Sequence, residues 1–115
     1  MKLKLIVALV DDGRTDAVIK AARTAGATGA TIINGVRGEG LIPQKTFLGL
    51  DLWESRNAVL FLVAAACAEE ILVSIGRAGR FDTKPGTGIA FQVDVEHAIG
   101  LRTQLPAIMG TKTEA

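Results

Sequence analysis

The sequence predicts an α/β (α+β) fold, a ferredoxin-like βαββαβ sandwich. Two strand–helix–strand units follow one another, the strands are apolar on both sides, and the helices are too few to cover both sides. At 115 residues the chain is the size of one domain and too short for two, so residues 1–115 read as a single domain. Hydrophobic residues make up 49% of the chain and aromatics only 4%, so Ala, Val, Ile and Leu must build the core.

Leu3 to Val10 is a near-continuous aliphatic stretch, the pattern of a buried strand, and Asp11-Asp12-Gly13 supplies the turn chemistry that ends it. Thr15 then caps a helix whose apolar positions Val18, Ala21, Ala22 and Ala25 follow helical spacing, with Gly26 closing it. Ala30 to Val36 reads as a second strand, and Arg37-Gly38-Glu39-Gly40 breaks regular structure. An insertion over about 38–56 has no sustained period, and connections of that length in a compact domain usually carry function. Asn57 to Val63 forms a third strand, and Ala68, Ile71, Leu72 and Ile75 mark a second helix before Gly76 and Gly79 weaken the pattern. Gly86-Thr87-Gly88 leads into a fourth strand, Ile89 to Val93, after which Asp94 caps a helical turn through Glu96 to Ile99. The tail, about 104–115, is expected to fray after Pro106.

Thirteen Lys and Arg against twelve Asp and Glu leave a formal charge of +1, which gives no polybasic footprint for nucleic acid or an anionic membrane. The apolar run at Leu5 to Val10 stops at two aspartates without a cleavage site, and Val59 to Ala68 falls short of the ~20 residues a spanning helix needs. No direct membrane insertion is expected, and the lone Cys67 fits a reducing, cytoplasmic setting. Cys67 sits among alanines and reads as a small buried apolar side chain, and Asp11-Asp12 reads as helix entry instead of a cation site. His97 has no Ser, Cys or second His at a readable spacing and reads as a surface histidine. Nothing here suggests an enzyme, although a small oligomeric enzyme or an inert scaffold is the competing reading.

Leu5, Val7 and Leu9 occupy one face of the first strand and Ile6, Ala8 and Val10 the other, and Val59 to Val63 is likewise apolar on both. Two helices cover one face only, so a second copy of the chain is the simplest cover for the other, and a homo-oligomer is predicted. The alternative is that the long insertion, with Leu41, Ile42, Phe47, Leu48 and Trp53, folds back over it. Trp53 is equally open to anchoring a partner protein.

Three segments carry a resemblance to a known family. These are Ala25 to Ile32 with the following Arg37-Gly38-Glu39-Gly40, then Lys84 to Phe91 around a Gly-x-Gly turn, and Val95 to Thr103, which ends Leu101-Arg102-Thr103. From Lys4 to Thr103 the chain resembles the P-II nitrogen-regulatory signal-transduction family and its P-II-like relatives. The resemblance implies a homotrimer that binds an adenine nucleotide between subunits. It further implies that occupancy passes through a long T-loop, here about 38–56, to a target protein such as a membrane transporter or metabolic enzyme. The binding positions carried over are Gly38, Gly40, Gly86, Thr87, Gly88 and Arg102. Glycine backbone N–H groups suit phosphate oxygens, and arginine adds charge-assisted hydrogen bonds.

Two family cations are replaced: Ile89 stands where a lysine follows the Gly-x-Gly turn, and Gly100 stands for the first arginine of the C-terminal loop. Losing them weakens a triphosphate most, which favours ADP or AMP over ATP as the effector, with no metal expected. Arg37, Lys45, Arg56 and Lys84 either restore the charge or are simply solvated. The chain has no tyrosine, so control by uridylylation of a T-loop tyrosine has no acceptor. The glutamine that the family uses for 2-oxoglutarate and Mg²⁺ has only Gln44 as a counterpart.

Overall fold

The computed structural model describes residues 2–36 and 56–109. The elements run β1 (Leu3–Asp11), α1 (Asp12–Thr24), β2 (Thr31–Val36), β3 (Arg56–Ala64), α2 (Ala65–Gly79), β4 (Gly88–Val95) and a short α3 (Leu105–Ile108). The strands form one sheet in the order β2-β3-β1-β4, with every neighbouring pair antiparallel. This is the ferredoxin-like arrangement that the element order predicts.

β1 passes into α1 with no loop between. Asp11 is the last strand residue and also the N-cap, its carboxylate accepting the Arg14 N–H at 2.9 Å. The expected cap, Thr15, instead lies inside the helix, where it is buried and its hydroxyl donates to the Asp11 carbonyl at 2.8 Å. The reason is geometric: an N-cap needs extended backbone, which the strand's own last residue already has (ψ 160°). Asp12 adds negative charge at the positive end of the helix. α2 likewise follows β3 directly and runs through Gly76 to Gly79, further than its glycines suggest. It ends at Arg80, whose left-handed backbone (φ 58°) turns the chain.

Both helices lie on one face of the sheet. Ile6, Ala8 and Val10 of β1 and Val59, Phe61 and Val63 of β3 meet Val18 and Ala22 of α1 and Ala68, Ile71 and Ile75 of α2. Cys67 is partly buried against this cluster. The other face is also apolar, as the two-sided strands imply. There Leu5 pairs with Leu62 and Val93, and Val7 with Leu60 and Phe91.

β4 carries the clearest sign of what that second face is for. Its side chains alternate, but in the opposite sense to a two-layer monomer: Ile89, Phe91 and Val93 point away from the helices and are 57%, 42% and 43% exposed. Gln92 and Asp94 are on the helix side.

At the chain's end the structure departs from expectation. No helical turn forms over Glu96 to Ile99. Instead β4 continues to Val95, because Asp94 stays in the ladder opposite Lys4 and pairs with its ammonium at 2.6 Å. Helix forms later, at α3, where Pro106 occupies the first turn and Ile108 is buried beside Leu60 and Leu62 on the open face. The tail is therefore docked to Ile108 instead of fraying at Pro106. No described helix is long and apolar enough to cross a membrane.

Candidate functional site

The turn at residues 80–88 is built around one aromatic ring. Phe81 follows the left-handed Arg80, and its ring lies against both Gly79 and Gly88. A Cβ on Gly79 would stand 2.2 Å from the Phe81 ring, and one on Gly88 would stand 2.2 Å from the Leu9 carbonyl and 2.8 Å from the same ring. Gly88 therefore requires glycine, since the carbonyl is fixed backbone and its φ is +153°, whereas a side chain at Gly79 would have to push the Phe81 ring aside. The Arg80 carbonyl gathers the turn, accepting the Lys84 N–H at 2.9 Å and the Thr83 N–H at 3.3 Å.

Thr87 is buried, and its hydroxyl faces the Lys84 and Arg80 carbonyls at 2.9 and 3.1 Å. Its side chain thus holds the turn together, while its carbonyl accepts the Asp11 N–H at 3.3 Å. The Gly86 carbonyl is taken by the Arg56 guanidinium at 2.8 Å. The carbonyls of Arg80, Lys84, Gly86 and Thr87 are therefore occupied. By contrast, the N–H groups of Gly86 and Thr87 have no hydrogen-bond partner among the described residues. Spare donors with the carbonyls tied back are the arrangement that binds anions.

Arg56 is the residue that sequence reasoning leaves unresolved. It begins β3, opposite Asp11 and Val36, and it reaches the turn across the end of the sheet. Beside it, the buried Asn57 amide donates to Asp12 at 2.8 Å and to Thr15 at 2.7 Å, tying β3 to the start of α1. Neither contact leaves a sequence signature, because both span 30 or more residues. The two glycines that bracket Phe81 are the available clue to the turn.

Arg102 lies elsewhere. It lines a cleft of about 500 Å³ with Leu3, Val95, Glu96, His97 and Leu101, at the opposite end of β4 from Gly88. An eight-residue strand separates the two ends by about 23 Å. Arg102 and His97 are exposed, and Ile89 is on the open face. Of the carried-over positions, Gly86, Thr87 and Gly88 are together, Arg102 is apart from them in the same chain, and Gly38 and Gly40 are outside the described residues. Arg37, Gln44, Lys45 and Trp53 also lie outside them. Among the described residues no group of three or more His, Cys, Asp or Glu could hold a metal ion.

A family model described as nitrogen regulatory protein P-II matches residues 3–105. The chain belongs to the P-II family. Solved structures agree on the fold of this P-II protein. A CPII protein from Thiomonas intermedia K12, described as bound to ADP, AMP and acetate, superimposes with a TM-score of 0.63 at 15% identity, over 84% of this chain and 90% of that one. A putative PII-like signaling protein from Thermus thermophilus gives 0.58 at 22% identity, over 83% and 88%. No curated protein sequence matches the chain.

Proposed function

We propose that this P-II protein is a homotrimeric sensor. Three copies turn their open faces inward, and an adenine nucleotide binds between the Gly86–Gly88 turn of one copy and the Arg102 segment of the next. The observation that carries this reading is the outward-facing apolar side of β4. Ile89, Phe91 and Val93 form a surface that water disfavours and that a second copy would bury. The same packing explains why the spare N–H groups and Arg102 lie at opposite ends of β4 in one chain, since a neighbour's Arg102 would complete the turn.

The ligand class follows from charge. With Ile89 and Gly100 at two family cation positions, ADP or AMP suits the site better than ATP. A relative of this fold described with ADP and AMP bound supports the same class. Occupancy then changes the affinity for a target, a transporter or metabolic enzyme, through residues 38–56, in a cytoplasmic setting without direct membrane insertion.

Titration calorimetry with ATP, ADP and AMP, paired with light scattering after size exclusion, tests the reading. Three copies, and one saturable site per subunit that Arg102→Ala weakens about 10- to 100-fold, are expected. A stable monomer, or silence for all three nucleotides, overturns it in favour of a scaffold. Steady turnover of the bound nucleotide overturns it in favour of an enzyme.

A further inference from the structure

We infer that Arg56 is a positioning residue for the nucleotide site, fixing the direction of the Gly86–Thr87 peptide so that the Thr87 N–H is held ready as an anion donor. This rests on the nucleotide-sensing reading above.

The Arg56 guanidinium donates to the Gly86 carbonyl at 2.8 Å, a side-chain bond that ties the sheet directly to that peptide. A trans peptide is planar, and its C=O and N–H point in opposite directions. Holding the Gly86 oxygen therefore sets the direction of the Thr87 nitrogen, which has no partner of its own among the described residues. The following peptide is fixed independently, because the Thr87 carbonyl accepts from Asp11. Gly86 needs such a restraint. The 86–87 peptide turns about the Gly86 ψ and Thr87 φ bonds, and glycine, here at φ +83°, leaves its ψ far less restricted than other residues do, so the Arg56 bond is the restraint on the Gly86 side.

The geometry also separates positioning from direct charge contact. The guanidinium sits on the oxygen side of the peptide, so an anion on the Thr87 N–H lies across the peptide from it. Arg56 accordingly acts on the donor, and its effect should not grow with the number of phosphates. A cation touching the phosphates would act more strongly on ATP than on AMP.

Two readouts on Arg56→Ala and Arg56→Lys decide the matter. Affinity for AMP, ADP and ATP should fall by a similar factor in Arg56→Ala, about five- to tenfold, with the salt dependence of binding unchanged. In the ligand-free protein the ¹H–¹⁵N resonance of Thr87 should shift and its amide should exchange faster, while the Val18 and Ile71 amides of the core stay protected. Arg56→Lys, which keeps a donor, should restore part of both. A loss that steepens from AMP to ATP, or wild-type affinity in Arg56→Ala, overturns the positioning role. If the unaltered protein binds no nucleotide, the functional reading fails and the amide alone decides: a moved Thr87 resonance upholds the role of Arg56 in orienting the peptide, and an unmoved one overturns it.

Discussion

The two faces of the sheet are made of similar residues and are held in different ways. On the helix side, Ile6, Val10, Val59 and Phe61 are completely buried within one chain by α1 and α2. On the open side, Leu5 and Val7 are half-buried and Phe91 and Val93 are substantially exposed, with α3 covering only the region of Leu60 and Leu62. One face therefore belongs to the folding of a single chain, and the other is the face that the proposed trimer would bury. Apolar content alone does not distinguish them, but the sense of alternation in β4 does.

The sharpest way to break this comparison is to mutate one aromatic from each face. Phe61→Ala removes a fully buried ring from the helix side and should cost about 3–5 kcal/mol of subunit stability, read as a lower urea midpoint. Phe91→Asp puts a charge on the open face and should change assembly first: light scattering should report smaller species while far-UV circular dichroism keeps its native shape. If Phe91→Asp leaves three copies intact, the open face is not the contact between copies.

Gly88→Ala acts where the two faces meet, at the end of the β1–β4 ladder. A methyl there would meet the Leu9 carbonyl, a backbone atom that cannot step aside, at a φ that L-residues avoid. A loss of about 1–3 kcal/mol is expected, together with weaker nucleotide binding. Retention of wild-type stability would show that the turn shifts freely and is not the preorganised cradle described above.

What can be read in the sequence follows the same division. The strands and helices are visible because aliphatic runs and helical spacing are local, and so is the need to cover a second face, because Leu5 to Leu9 and Val59 to Val63 lack alternation. The family's glycines are visible as Gly86-Thr87-Gly88. The roles inside that turn are not. The sequence groups Thr87 with the binding positions, yet its hydroxyl serves the turn's own carbonyls, and Arg56 reads as an ordinary solvated cation until β3 places it 2.8 Å from Gly86. Both depend on contacts that only the completed sheet creates. The helical turn expected after Asp94 fails for a related reason: a capping residue in sequence is also a good ladder partner when a lysine stands opposite, and Lys4 lies on a strand 90 residues away.

That ion pair gives the smallest and most specific expectation. Lys4, first through its hydrogen bond and then through its charge, holds the Asp94 carboxyl below its ordinary value. A carboxyl whose folded pKa is depressed contributes stability above the unfolded pKa, about 3.9, and loses it as pH falls through the lower folded value. Wild type should therefore be slightly more stable than Asp94→Asn at pH 7, and the two should converge as pH falls below about 4. The carboxylate is largely exposed and therefore screened, so the gap should shrink in high salt and stay well below the cost of Phe61→Ala. A gap that persists at low pH would mean that Asp94 acts through β4 packing and not through its charge on Lys4.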